Sequence, residues 1–432
     1  MVASESPKQK TFDSINEKLK NGTAVVMTVN EFKDSIRKGK KYSVNDVDVV
    51  TTATMGCMSG TAACFTVPVT KGSVFKRAEK IFLNGVPGSP GPAPNERLGL
   101  VDCIVNGTGH SIYDHRYGGG HLFRDLVKRE PVKVEVHADD GRVFTKTITL
   151  DDMEFARIYS FRNCFKNYNC FTNVTTGGTY PSIFSFRPME PGWGITLVGS
   201  GECNPLENDP KFRFIKPGYR ILVDCAPGIV IGTGTRATAK APNLSVAADM
   251  FKMDPDFMSG FITSGGLEVV TSIAVPIPVI DEEVLQNLTA SMDENLEARI
   301  ADVSDRVPFT KVTYADMWQG HDLEIEYDPD DCINCSFGCR AEHYCPAGAI
   351  SWREKTRDET KCARCGACTV NCLGQAFKAN LGKVKVDGVG EVPIVFRCGN
   401  RFKAVKLAEV LKHKILTGEF IIGSVDDILM AE

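Results

Sequence analysis

CINCSFGCRAEHYCP at residues 332–346 and CARCGACTVNC at 362–372 decide how this chain is read, because eight of its sixteen cysteines fall within these 41 residues. The second run has the spacing C-x2-C-x2-C-x3-C with which bacterial ferredoxins hold 4Fe-4S cubanes. The first is a stretched form, C-x2-C-x3-C-x5-C-P. In such proteins the fourth cysteine of each run crosses to the other cluster. The expected ligand sets are therefore Cys332, Cys335, Cys339 and Cys372 for one 4Fe-4S cluster, and Cys345, Cys362, Cys365 and Cys368 for the second. Three thiolates a turn apart wrap three iron corners of a cube, and the fourth iron takes its ligand from elsewhere, so the exchange ties both runs into one small domain. A structural zinc site would pair one C-x2-C with another and leave Cys368 and Cys372 without a role. Disulfides fit poorly with this spacing in a chain that shows no secretory signal. The extra residues around Cys339 and Cys345, and Leu373 where proline usually follows, change spacing and solvent exposure without removing a ligand.

Outward from that stretch, the 432 residues suggest about three domains, or one large and one small. With 43% hydrophobic residues the chain can bury a sizeable core. Its net charge of −4 leaves no basic footprint, which argues against nucleic acid as a partner. The polar start MVASESPKQK has no apolar core of a signal peptide, and no apolar run approaches ~18 residues, so neither secretion nor a membrane is expected. Oxygen-sensitive clusters and eight further cysteines point to a reducing cytoplasm.

DSINEKLKNG (13–22) reads as a helix stopped by Gly22, TAVVMT (23–28) as a strand, VNEFKDSIRK (29–38) as a helix opened by a Thr28/Glu31 capping box, and DVDVVTTATM (46–55) as a second strand. This β-α-β unit is expected to be parallel and to place the loop Gly56-Cys57-Met58-Ser59-Gly60 at a ligand-binding strand end. Glycines on both sides would let backbone N–H groups approach a Cys57 thiolate and lower its pKa; a small buried residue at a strand end is the plain alternative. Five strands follow: TAACFTVPV (61–69), KIFLNGV (80–86), GLVDCIVNG (99–107), VKVEVHA (132–138) and VFTKTITL (143–150). Among them YDHRYGGGHLFRDLVKRE (113–130) is a glycine triplet opening a helix. Its N–H groups, with Arg116 and His121, suit an anion; a plain glycine turn into a surface helix is the alternative. IVIGTGTRATA (229–239) has dinucleotide-like glycine spacing but no helix to follow it, so a nicotinamide site is rejected. LTASMDENLEARIADV (288–303) reads as an acidic helix, and RFKAVKLAEVLKHKIL (401–416) as a helix after the strand pair KVKVDG (383–388) and VPIVFRC (392–398).

The expected fold is α+β. A large mixed α/β, strand-rich body spans 1–307 and a connector 308–325, followed by a ferredoxin-like domain with two 4Fe-4S clusters over 326–378 and a strand pair with a helical tail over 379–432.

Taken together, INEKLKNGTAVVMT (15–28), DVVTTATMG (48–56), the LNGVP turn (83–87), YGGGHLFRDL (117–126), FRNCFKNYN (161–169) and PIPVIDEEV (276–284) resemble the homocysteine-biosynthesis sulfur-incorporation family over roughly residues 12–305. With cysteine runs behind that body, the chain is similar to the methanogenesis marker 16 branch. The resemblance implies reductive sulfur insertion: hydrosulfide adds to a small anionic aldehyde, water leaves, and the thiocarbonyl takes two electrons and two protons to give a thiol. Two one-electron clusters, fed by an electron-donor protein, match that count. The resemblance also implies a nucleophilic cysteine able to carry sulfur as a persulfide, and Cys57 lies in the matching loop; the helix start at Gly118, Gly119, Gly120 and His121, with Arg116, is placed to hold the substrate anion, and His115, His121 and Asp125 are candidates for the catalytic acid by local proximity alone. Homocysteine-forming relatives carry a further cysteine where this chain has ADDGRVFTK (138–146); Cys164 is the substitute on offer. That difference favours sulfoacetaldehyde, giving coenzyme M, over aspartate semialdehyde, giving homocysteine. A homo-oligomer is compatible with this reading. A non-catalytic iron-sulfur protein passing electrons or assembling clusters for methanogenesis is the alternative.

Overall fold

The computed structural model describes residues 10–425 apart from 167, 168, 176, 319, 320, 322 and 323. The outer ends of the first and last expected units, part of the connector and part of the FRNCFKNYN stretch therefore lie outside the described residues.

Helix Phe12–Lys20 is closed at its start by Thr11 and Ser14 in a capping box. Strand Val26–Thr28 then leads into helix Val29–Arg37, where Thr28 Oγ1 accepts from the Glu31 N–H (3.2 Å) and Glu31 Oε2 accepts from the Thr28 N–H (2.7 Å), the reciprocal cap read from the sequence. Val26–Thr28 pairs in parallel with Val49–Cys57, completing the β-α-β unit. The expectation of a parallel sheet goes no further. Val49–Cys57 runs antiparallel to the long strand Gly266–Pro278 through nine paired residues, and nearly every other ladder of this fourteen-stranded sheet is antiparallel. Four of the five strands expected between 61 and 150 form and pair there, covered on one side by helix Gly119–Val127; the expected strand 80–86 instead turns at Asn84 and Gly85, both with positive φ, between the antiparallel strands Ala78–Leu83 and Val86–Pro90. After Gly234 the chain bends without a helix into strand Leu244–Asp249, which removes any dinucleotide fold.

A second sheet of six strands changes the domain outline. Its order is Pro308–Thr313, Glu297–Asp302, Asn169–Thr172, Ile195–Leu197, Gly390–Arg397, Lys383–Val386. The first third of the expected connector is thus an edge strand. The acidic helix expected at 288–303 is a helix only to Ala290; Glu297–Asp302 is a strand, because Ala298, Ile300 and Ala301 bury their side chains and pair with Asn169–Thr172. The tail is likewise part of the body. Helix Arg401–Leu416, capped by Asn400, buries Ala404, Leu407, Ala408, Leu411 and Ile415 against the Val49–Cys57 and Gly266–Pro278 strands.

The cysteine-rich segment is an insertion between these elements. Glu326–Tyr327 pairs with Phe377–Lys378, and Ile350–Ser351 with Thr356–Arg357; two short helices, Arg340–His343 and Ala367–Asn371, follow the cysteine loops. No helix of the described residues is long and apolar enough to cross a membrane.

Candidate active site and cysteine quartets

The eight cysteines separate into two groups in space. Cys332, Cys335, Cys339 and Cys372 line one cavity and are partly exposed. Cys345, Cys362, Cys365 and Cys368 are buried and close enough that each thiol's charge is felt by others. In both C-x2-C loops the residue before the second cysteine, Asn334 or Arg364, has positive φ (49° and 51°), which curls the loop so that its sulfurs share one side. Backbone N–H groups point at sulfur from Glu342 to Cys339 (3.4 Å), Ala349 to Cys345 (3.3 Å) and Arg364 to Cys362 (3.4 Å).

These quartets fit the group the spacing implies. Burial, and after it the charge of neighbouring thiols, pushes the Cys345, Cys365 and Cys368 thiols up, so as thiolates they need positive charge among them, and amides aimed at sulfur suit cluster-bound thiolates. Among the described residues no three His, Cys, Asp or Glu side chains converge tightly enough for a single metal ion. A cubane asks for something wider, since each thiolate binds a different iron.

The buried quartet is the one that faces the body. Ala347, Ala363, Cys365 and Ala367 share an apolar cluster with Phe261, Phe396, Cys398 and the C-terminal helix. Burying a side chain such as Phe261 or Phe396, at 1% and 0% exposure, contributes about 2 kcal/mol. Polar ties accompany the packing: Ile262 N–H to Pro346 O (2.8 Å), Arg124 Nη2 to Thr360 Oγ1 (2.9 Å), Lys403 Nζ to Thr360 O (2.6 Å) and Arg397 N–H to the Cys365 carbonyl (2.9 Å).

One residue beyond Arg397 is Cys398, and it meets Cys57. The segment 398–400 lies across the end of the Cys57 strand: Gly56 and Gly399 form an antiparallel bridge, Cys57 N–H reaches Cys398 O (3.4 Å) and Asn400 N–H reaches Met55 O (2.9 Å). That register sets Cys57 opposite Cys398, both in the same apolar cluster. Close backbone approach demands glycine at 399 and favours it at 56. A Cβ on Gly56 would lie 3.1 Å from Cys398 O, and one on Gly399 2.7 Å from Gly199 O. The glycines therefore admit a neighbouring strand rather than amides for a thiolate. Accordingly the Cys57 pKa is raised, not lowered, first by its hydrogen bond with Cys398 and then by burial and by the Cys398 and Glu268 charges.

Glu268 completes this face. Cys57 pairs with Val270 and Glu268 with Phe261, and period-two alternation puts all four on one side of the sheet. The Glu268 carboxyl is 4% exposed, receives a hydrogen bond from Ser59 and keeps Oε2 without a partner. Burial pushes its pKa up to about 7, against the opposing Ser59 bond.

The residues expected to bind an anion sit elsewhere. The Gly119 and Gly120 N–H groups donate to Gly109 O (3.0 Å) and Gly107 O (2.9 Å), and a Cβ on Gly119 would lie 2.2 Å from Asn106 O. The triplet is there so that the helix can press against strand backbone, and it offers no anion hole. His121 Nδ1 accepts from Gly118 N–H (3.2 Å), and the ring packs over Gly260, whose partner Val269 faces away from Cys57. The sheet thus separates His121 from Cys57, and burial lowers its pKa to about 4. Arg116 is partly exposed beside Cys339 and Tyr344. Cys164 hydrogen-bonds Asn204 Oδ1 (3.7 Å) in the core on the helix side of the sheet; the thiol set against Cys57 is Cys398. Sequence reading missed Cys398 and Glu268, since one follows the cysteine runs by 26 residues and the other looks like an ordinary strand carboxylate.

The chain belongs to the family of homocysteine biosynthesis enzymes for sulfur incorporation, whose model matches residues 24–422 and so runs well past the expected limit of 305. An uncharacterized protein of Methanothermobacter thermautotrophicus is 41% identical over 413 residues, 95% of this chain and 94% of that protein. An L-aspartate semialdehyde sulfurtransferase of Methanocaldococcus jannaschii is 29% identical over 342 residues, covering 74% of this chain and 65% of that one. The polyferredoxin-like subunit of an aliphatic sulfonate oxidoreductase from Pyrococcus furiosus is 34% identical over 100 residues, 21% of this chain and 53% of that subunit. No solved structure matches the chain significantly. These relatives place the chain among enzymes of sulfur incorporation.

Proposed function

We propose that this protein performs reductive sulfur insertion, converting a small anionic aldehyde and sulfide to a thiol at the face formed by Cys57, Cys398 and Glu268. The observation that carries the reading is the junction itself: the carbonyl of Cys365 in the buried quartet is hydrogen-bonded to Arg397, and the next residue lies against Cys57. Cluster ligands of that quartet are Cys345, Cys362, Cys365 and Cys368, and those of the more exposed one Cys332, Cys335, Cys339 and Cys372. Bound there, 4Fe-4S clusters supply electrons singly at low potential. The exposed quartet is the natural entry for electrons from a partner protein in a reducing cytoplasm.

The chain's own groups do the rest. Glu268, protonated near neutral pH, gives its proton to the carbonyl oxygen that leaves as water, and Ser59 orients the carboxyl. Val270, Phe261 and Phe396 keep bulk water from the carbon–sulfur adduct. Cys57 is the thiol that meets that adduct. Sulfoacetaldehyde, giving coenzyme M, is the favoured substrate and aspartate semialdehyde, giving homocysteine, the next.

Cluster-reconstituted protein, given sulfide, a low-potential reductant and either aldehyde without oxygen, is expected to form the matching thiol. Cys57→Ser should abolish it with iron content unchanged. Intact clusters with no thiol from either aldehyde would leave the electron-transfer reading, which the likeness to a polyferredoxin-like subunit favours.

A further inference from the structure

We infer that Cys57 and Cys398 form a redox-active dithiol, with Cys398 the resolving thiol that turns a supply of single electrons into one two-electron reduction; the inference rests on the sulfur-insertion reading above. Three observations lead to it. The Gly56–Gly399 bridge sets the two cysteines directly opposite each other in an antiparallel pair. Such hydrogen-bonded opposite positions bring Cα atoms to about 5.5 Å, inside the roughly 4.4–6.8 Å that a disulfide spans. Their side chains occupy one apolar cluster, Cys57 partly exposed and Cys398 only 4% exposed. Finally, Cys398 is fixed from three directions, by its own N–H to Leu197 O (2.8 Å), by its carbonyl to Cys57, and by the preceding Arg397 N–H to the Cys365 carbonyl (2.9 Å). None of the remaining cysteines outside the quartets has such a place.

The chemistry balances. Glu268, left as the carboxylate once its proton has gone with the departing water, takes the Cys57 thiol proton; the Cys57 sulfur attacks the sulfur of the thioaldehyde, forming an S–S bond while the C=S π electrons move to carbon, which takes that proton back from Glu268. This gives a mixed disulfide between Cys57 and the nascent thiol. Cys398 then attacks the Cys57 sulfur; the S–S bond to product breaks, and the product thiolate leaves with the electron pair and is protonated. The sum is one thioaldehyde plus two thiols giving one thiol plus the Cys57–Cys398 disulfide. Two electrons from a low-potential one-electron donor, with two protons, restore the dithiol. The half-buried member reacts with substrate and the shielded member closes the disulfide, an order that the difference in exposure imposes.

The test uses full-length, cluster-loaded protein under anaerobic conditions. It is equilibrated in reduced and oxidised dithiothreitol mixtures, alkylated and mapped by mass spectrometry. A Cys57–Cys398 disulfide that appears and disappears reversibly as a two-electron couple is expected. In Cys398→Ser, iron content and cluster spectra stay as in the parent and steady-state thiol formation is lost. One equivalent of product thiol accumulates on Cys57, released by dithiothreitol. Both thiols remaining free across the whole redox series, or Cys398→Ser turning over at the parental rate, overturns the proposal. The two readings fail separately: a reversible disulfide in a parent protein that makes no thiol removes the sulfur-insertion reading and keeps the dithiol. Thiol formation undiminished in Cys398→Ser removes the dithiol alone.

Discussion

Replacing Glu268 by glutamine tests the electrostatics of the site through stability, independently of substrate. In the folded protein burial raises this carboxyl from 4.5 to about 7, so the folded state holds its proton where the unfolded chain has released it. A raised acid contributes stability that is fully present below its unfolded pKa and is lost as pH rises through the folded one. The window here is about 4.5 to 7. Across it the loss sums to roughly 3 kcal/mol, at about 1.4 kcal/mol per pH unit. Between pH 5.5 and 8.5, where clusters can be kept intact, about 2 kcal/mol of that loss remains visible. Asp224, buried and raised from 3.8 to about 8, adds a similar slope across that whole range in both proteins, so the difference between parent and Glu268→Gln isolates Glu268. Anaerobic guanidinium unfolding at a series of pH values is the assay. The variant should gain about 2 kcal/mol relative to the parent as pH goes from 5.5 to 8.5, because glutamine keeps the Ser59 partner without a charge to bury. A parallel pH dependence in the two proteins would show that Glu268 is ionised and solvated in the fold, and its role as proton donor would go with it.

Other outcomes follow from the same geometry. Gly119→Ala should destabilise the fold by about 2 kcal/mol or more in the same unfolding assay, since its Cβ meets Asn106 O at 2.2 Å; a rise in KM with unchanged stability would instead restore the anion-site reading. Cys335→Ser and Cys365→Ser should each lower iron from about eight to about four atoms per chain, with Cys365→Ser losing all thiol formation; equal iron loss to zero in both would mean that the quartets do not load independently. Gly56→Ala, whose Cβ meets the Cys398 carbonyl at 3.1 Å, should push the two strand ends apart and lower the yield of Cys57–Cys398 disulfide in the redox series.

What the sequence made legible was local. The Thr28–Glu31 cap, the β-α-β start and four of the five strands read between 61 and 150 depend on neighbours within a few residues, and each is found where it was read; the fifth, 80–86, turns at Asn84 and Gly85. What it hid was long-range. Helical composition at 297–302 yields to pairing with 169–172, some 130 residues away. The glycine triplet resembles an anion cradle in sequence, and only the carbonyls of Gly107 and Gly109 reveal that its N–H groups are already used. Cys57 could be singled out in the sequence, though it lies at the end of a strand and not in a loop, and its neighbours could not: Cys398 comes just after a strand end 341 residues later, and Glu268 is set apart from any strand carboxylate only by its burial. A site assembled where three distant segments cross has no signature within any one of them.

In the proposed function, sulfur insertion at Cys57 is driven by electrons passing through the cysteine quartets. The most direct measurement is an anaerobic electron count: cluster-loaded protein is reduced with a known amount of a low-potential donor in the presence of sulfide and sulfoacetaldehyde, or aspartate semialdehyde, and the thiol formed is quantified. One thiol for every two electrons consumed, with none from Cys57→Ser, is the predicted result. Electrons consumed without thiol, or thiol formed without them, would contradict it.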